Sequence, residues 1–178
     1  KTKNNLIGLH TGSSNSLSFK RWDKKNFIEL IKKLINKNYN IYLFGKGAEE
    51  SNINNAISKQ VNSKKLTNYT NKLNLKKLIL YIQKCELIIS NDSGIMQLSS
   101  LYNIPTIGIF GPTSEIKNRP INKGFIALRA FSNNYCNKYT NMVCKNCKLY
   151  KKYKVQTKCL ERVTTNLIYS KTTKILNA

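Results

Sequence analysis

Four short and almost wholly apolar runs set the strongest limit on what this chain can fold into. They are Leu6-Ile7-Gly8-Leu9, Ile41-Tyr42-Leu43-Phe44, Leu87-Ile88-Ile89 and Pro105-Thr106-Ile107-Gly108-Ile109-Phe110. None alternates with polar residues, so each reads as a strand buried on both faces, as in a parallel sheet covered by helices. Stretches of helical period lie between them. Phe27, Leu30, Ile31, Leu34 and Ile35 recur at the i, i+3, i+4, i+7, i+8 spacing of one buried face, with Asp23 placed to cap the helix. Similar faces are expected from Ile53, Ala56 and Ile57, from Leu75, Leu78, Ile79 and Ile82, and from Ile95, Leu98, Leu101 and Tyr102. A short strand near Lys65-Leu66-Thr67 and a last one at Phe125-Ile126-Ala127-Leu128 complete the alternation. The fold class that follows is α/β, a Rossmann-like parallel sheet flanked by helices and joined by right-handed crossovers.

The organisation expected is a Rossmann-like domain over residues 1–131, an irregular Cys-, Lys- and Tyr-rich segment over 132–158, and a helix over 159–178 that packs back on the domain. Leu160, Val163, Leu167 and Ile168 would supply the packing face of that helix. At 178 residues the chain can bury a proper core. No apolar run approaches the roughly 20 residues of a membrane span. The formal net charge of +23 invites a nucleic-acid reading. Against it, the positive charge is nearly all Lys and spread along helix faces, whereas recognition of bases favours the bidentate Arg. No nucleic-acid partner is expected. The charge is compatible with a cytoplasmic protein held peripherally at the anionic inner face of the membrane.

The stretch Ser90-Asn91-Asp92-Ser93-Gly94 falls between a strand's carboxyl end and a helix's amino end. Open α/β sheets bind ligands there, because free N–H groups and the helix dipole point into the crevice. Asp92 or Ser93 would serve equally as a plain helix cap. Two further loops, residues 11–22 and 45–50, should leave the same edge of the sheet. Together the three offer small residues, hydroxyls, the Lys20-Arg21 pair and acids. Backbone amides cradle phosphates, a cation offsets them, and carboxylates accept from sugar or ribose hydroxyls. No loop matches a dinucleotide fingerprint or a Walker A sequence. His10, directly after a strand, is expected to be structural rather than catalytic.

Five motifs appear in order: Gly8-Leu9-His10-Thr11-Gly12-Ser13, Lys20-Arg21-Trp22, Phe44-Gly45, Asn91-Asp92-Ser93-Gly94, and Pro105 with Phe110-Gly111-Pro112-Thr113. The series resembles the C-terminal domain of glycosyltransferase family 9, the heptosyltransferases of lipopolysaccharide core synthesis. The resemblance implies the C-terminal half of a GT-B fold, two Rossmann-like domains facing across a cleft. It implies an ADP-heptose-type donor held here and a glycolipid or oligosaccharide acceptor held by an N-terminal domain that this chain lacks. Such a chain alone is expected to bind donor weakly and transfer nothing. The resemblance places Thr11, Gly12 and Ser13 at the diphosphate and Lys20 on the departing nucleoside diphosphate. Glu49 falls at ribose, Leu73 against the base, and Asn91, Asp92, Ser93 and Gly94 at the sugar and phosphates. Lys20 and Asp92 are the residues nearest the chemistry. No cofactor is implied.

Three positions depart from the family pattern: Gln97 stands where His is usual, Asp23 where Pro is usual, and Thr11 where Pro or Ala is usual. Gln97 can donate a hydrogen bond but carries no charge, which leaves donor geometry and identity open. A non-catalytic nucleotide-sugar-binding module is the second reading. The third is a basic nucleic-acid binder with a zinc site, since Cys136, Cys144, Cys147 and Cys159 could form a tetrahedral thiolate set. Free thiols or a disulfide fit these cysteines equally. Cys85 stands apart from them.

Overall fold

The computed structural model describes residues 4–14, 18, 20–111, 113–129 and 160–177. The segment 132–158, both expected boundaries beside it, and Cys136, Cys144, Cys147 and Cys159 lie outside the described residues. Among the described residues, six strands form one parallel sheet in the order β3-β2-β1-β4-β5-β6. They are β1 (Leu6–His10), β2 (Asn40–Phe44), β3 (Leu66–Asn68), β4 (Leu87–Asn91), β5 (Thr106–Phe110) and β6 (Phe125–Arg129). Helices alternate with them: α1 (Lys24–Asn36), α2 (Ala48–Val61), α3 (Leu75–Lys84), α4 (Gly94–Leu101), the short α5 (Glu115–Asn118) and α6 (Thr165–Leu176). The chain runs outward from β1 to β3, then crosses back to place β4 on the other side of β1. The sheet reverses direction of growth there, and a crevice opens at the carboxyl ends of β1 and β4.

Period-two alternation along each strand explains why the apolar runs are continuous. Ile7, Leu9, Ile41, Leu43, Leu87, Ile89, Ile107 and Ile109 face one side and pack with α1, Ile57 of α2 and Ile168 of α6. Leu6, Phe44 and Ile88 face the other, with Ile82 and Cys85 of the α3 region. Burial raises the Cys85 thiol to about 12, which leaves it an inert filler. Asp23 caps α1 through a bond from the Lys25 N–H at 2.7 Å, as its position in the sequence predicts.

Two helix faces differ from expectation. In α4 the buried residues are Met96, Ser99 and Ser100, whereas Leu101 is 77% exposed. The small serines let the helix lie close on the sheet, and Ser99 Oγ shares a hydrogen bond with Thr106 Oγ1 at 2.9 Å. Of the expected face, Ile95 and Leu98 pack partly buried against the core, while Leu101 and Tyr102 turn outward and Met96 and the serines take the inner positions. In α3, Leu75 is also exposed, while Ile82 is fully buried. In α6, Leu167 is more exposed than its neighbour Ile168.

Gly8 sits mid-strand beneath packed side chains. A Cβ there would lie 2.7 Å from Phe44 Cε2 and closer still to Ile88 Cδ1, both on buried residues with no room to give. Gly8→Ala is expected to cost about 1–3 kcal/mol through overpacking, read as a lower urea midpoint at unchanged m-value.

Candidate functional site

A cleft of about 950 Å³ opens at the crevice between β1 and β4, within the range that holds a drug-sized or nucleotide ligand. The loops following β1, β2 and β4 line it, together with α3 and α5. Asn91, the last residue of β4, joins two of these loops. Its side-chain amide is completely buried. The amide N–H groups donate to the carbonyls of Thr11, at 2.8 Å, and Gly12, at 3.3 Å. The amide oxygen accepts the Trp22 N–H at 3.0 Å. Trp22 in turn donates its indole N–H to the Val163 carbonyl at 2.7 Å and meets Phe27 edge-on. The loop that carries Lys20 is therefore fixed at its far end.

Lys20 is delivered into the cleft wall, where its Nζ lies 2.9 Å from Asp92 Oδ2 with both side chains buried. Asn118 Nδ2 donates to the same oxygen at 3.0 Å, and Gln97 Nε2 donates to the Asn118 carbonyl at 2.7 Å. Gln97 thus ties α4 to α5 rather than standing alone. Ser93 is the N-cap residue of α4, yet neither it nor Asp92 caps with a side chain. The first-turn N–H groups of α4 are left without a side-chain acceptor beside the cleft. Gly94 keeps the approach open: no atom lies within 4 Å of where its Cβ would be.

The second half of the wall is built on an acid and a histidine. His10 Nε2 lies 3.3 Å from Glu50 Oε2, which also accepts the Lys46 N–H at 2.9 Å. Burial pushes the Glu50 carboxyl up, but the hydrogen bond and charge of His10, the Lys46 N–H and the charge of Arg21 together hold it below its usual range. Gly12 makes room for this acid, since a Cβ at residue 12 would collide with the Glu50 side chain. Glu49 turns instead to Arg21, whose guanidinium grips both carboxylate oxygens and also donates to Ser13 Oγ at 3.2 Å and the Ser13 carbonyl at 2.9 Å. That bond, with a smaller opposing effect of desolvation, lowers the Glu49 carboxyl. Thr11 is buried and donates to Asn54 Oδ1 at 2.6 Å. Asn54 also reaches the Phe44 carbonyl and Thr70.

The far end of the cleft is apolar. Leu73, Leu75 and Leu78 line it with Tyr69 and Phe44. Burial, then the neighbouring phenols of Tyr42 and Tyr81, push the Tyr69 hydroxyl up to about 12, so it stays a neutral group.

Of the residues singled out in the sequence, Ser13, Lys20, Leu73, Asp92, Ser93, Gly94 and Gln97 line one cleft. Thr11, Gly12 and Asn91 stand behind it as supports, and Glu49 stabilises the 11–22 loop from outside. Glu50 and Asn118 face the cleft without having been singled out, and His10, expected to be structural, faces it as well. His10 had a signal, its place at the end of the strand beside the switch point. Glu50 had none, because its phase relative to Glu49 depends on where α2 begins. Among the described residues, no group of three or more His, Cys, Asp or Glu is arranged to hold a metal ion, and no helix is long and apolar enough to cross a membrane.

Because its folded value is depressed, charged Glu50 adds stability above its usual value of 4.5 and loses it as pH falls below. Glu50→Gln is expected to flatten the fall of melting temperature on the acid side of 4.5. Thermal melts at stepped pH read the slope.

Comparison with known proteins identifies the family of the chain. The family model described as glycosyltransferase family 9 (heptosyltransferase) matches residues 1–150. Lipooligosaccharide heptosyltransferase 2 of Campylobacter jejuni is 36% identical over 117 residues, covering 65% of this chain and 36% of that protein. Lipopolysaccharide heptosyltransferase 2 of Salmonella typhimurium is 31% identical over 119 residues, covering 65% of this chain and 34% of that one. Among solved structures, Escherichia coli ADP-heptose lipopolysaccharide heptosyltransferase II matches with a TM-score of 0.76 at 21% identity, over 99% of this chain and 47% of that chain. An Escherichia coli heptosyltransferase with ADP matches with a TM-score of 0.74 at 16% identity, over 96% of this chain and 44% of that chain. The chain therefore spans about a third of the curated relatives and just under half of the solved chains.

Proposed function

Because the chain belongs to glycosyltransferase family 9, we propose that its cleft is the donor site of a sugar transferase, taking a nucleoside diphosphate sugar of the ADP-heptose kind. The observation that carries this reading is the buried Lys20–Asp92 pair beside the uncapped amino end of α4, at the switch point of the sheet. A cation and free N–H groups converge there, which is the arrangement a diphosphate needs. Lys20 takes the diphosphate and stabilises the charge that grows on it as it leaves. Ser13 presents backbone to the same phosphates, with Gly12 behind it as a support. Asp92, Ser93, Gly94 and Gln97 face the sugar. Ribose meets Glu50, the acid of α2 that lines the cleft, and the base lies against Leu73 in the apolar end.

In this scheme an acceptor hydroxyl on a lipopolysaccharide core or related glycan is deprotonated by a base outside this chain, in the opposing half of a GT-B enzyme. Its oxygen attacks the anomeric carbon, the bond from that carbon to the diphosphate oxygen breaks, and the configuration inverts. The chain alone binds donor and leaves transfer to the complete pair of domains. The formal charge of +23 supports work at the anionic inner face of the cytoplasmic membrane.

Calorimetric titration of the chain with ADP-heptose is expected to show one saturable site. Lys20→Ala should weaken it by about tenfold or more, the loss of a charge-assisted contact. Asp92→Asn, which keeps the shape and the Asn118 neighbour, should weaken it less. Unchanged affinity in both variants, with folding verified by circular dichroism, would place the donor elsewhere.

A further inference from the structure

His10 is the one histidine of the chain, and its hydrogen bonds leave a hydrogen to be accounted for. Its Nδ1 lies 3.0 Å from the Ser93 hydroxyl. Ser93 Oγ lies 2.9 Å from Ser90 Oγ, and Ser90 Oγ lies 2.8 Å from the Asn91 carbonyl. The row from Nδ1 through Ser93 and Ser90 to the Asn91 oxygen has a short contact at every step. Each hydroxyl has one hydrogen to give, and the carbonyl at the end has none. Two hydroxyls cannot fill every step, so the remaining hydrogen belongs on Nδ1. If Nδ1 is bare, Ser93 must give it its hydrogen, and one of the two remaining contacts is left as oxygen facing oxygen with no hydrogen between: Ser93 Oγ and Ser90 Oγ at 2.9 Å, or Ser90 Oγ and the Asn91 carbonyl oxygen at 2.8 Å. Ser90 and Asn91 are fully buried, where an unfilled contact is costly. The direct approach of Ser90 Oγ to Nδ1, at 3.4 Å, is too long to compete.

We propose that His10 carries a hydrogen on Nδ1 and acts as a positioning residue, turning the Ser93 hydroxyl away from the cleft so that Ser93 meets the ligand as an acceptor. The Ser93 hydrogen goes to Ser90. One lone pair of its oxygen takes the Nδ1–H, and the other is open to the cleft that Ser93 lines. An acceptor repels phosphate oxygens and suits the hydroxyl of a sugar. The relay thereby divides the donor, with the sugar at Ser93 and the diphosphate at Lys20. Glu50 Oε2 accepts from Nε2 on the opposite edge, so both ring nitrogens carry a hydrogen and the imidazole is held in this orientation. This inference rests on the nucleotide-sugar reading of the cleft for its ligand, and on hydrogen counting for the relay itself.

The two parts are separable by experiment. Long-range proton–nitrogen correlation spectra of the ligand-free chain read the single imidazole without assignment. A hydrogen-bearing Nδ1 is expected, and a bare Nδ1 overturns the relay whatever the cleft binds. In calorimetry with ADP and ADP-heptose as probes, Ser93→Ala is expected to weaken ADP-heptose about tenfold and to leave ADP within about twofold. Equal losses for both probes would make Ser93 a phosphate donor and overturn the acceptor role. His10→Asn, whose amide N–H can stand near the Nδ1 position, should keep the preference for ADP-heptose over ADP, and His10→Gln should lose it. Identical behaviour of the two would sink the positioning role. No binding of either probe by the unsubstituted chain would remove the nucleotide-sugar reading and the acceptor role together, with the relay still decided by the spectrum.

Discussion

The buried amide of Asn91 is the interaction on which the cleft depends. A side-chain amide cut off from water must place both its hydrogens and its oxygen on protein partners, or lose the cost of taking them from solvent. Asn91 does so by holding the carbonyls of Thr11 and Gly12 and the N–H of Trp22. The two ends of the loop after β1 are thereby set against the end of β4. Everything that the loop carries, Ser13, Lys20 and Arg21 included, inherits its position from that one group. A leucine of similar size would fill the space and leave three backbone groups with nothing to bond.

Charge in the cleft is arranged on the same logic. Lys20 sits on Asp92, Arg21 on Glu49, and His10 on Glu50. None of these pairs is a strong argument for stability, because desolvation offsets much of the attraction. They are better understood as a way to hold cations ready at an interior surface before an anion arrives. The same acid that steadies Lys20 accepts from Asn118, and Gln97 reaches the backbone of that residue. The absence of a charge at residue 97 is thus accompanied by a neutral network across α4 and α5.

The sheet was legible because its strands are buried on both faces, which leaves continuous apolar runs that no other element would write. The face of α1 was legible for the same reason. α4 was not, because Ser99 and Ser100 face inward and Leu101 faces out, and only the closeness of helix to sheet explains it. Within the site, Lys20, Asp92 and Ser93 stood out through their place at strand ends. Glu50 and Asn118 did not, since each depends on a helix phase or a contact between distant segments that no local pattern encodes. His10 was read as structural, and its bonds to Glu50 and Ser93 place that buried imidazole in the cleft wall.

The bond from the Trp22 indole to the Val163 carbonyl crosses 141 positions of sequence. It fastens the loop that carries the principal cation of the cleft to the segment leading into the last helix, which itself packs on α1. The six strands by themselves are therefore not the smallest working unit of this domain. A version trimmed after β6 would keep the entire sheet and its crevice, yet the loop bearing Lys20 would lose its footing. The last helix, farthest in sequence from the loop it helps to hold, is mechanically a part of the cleft.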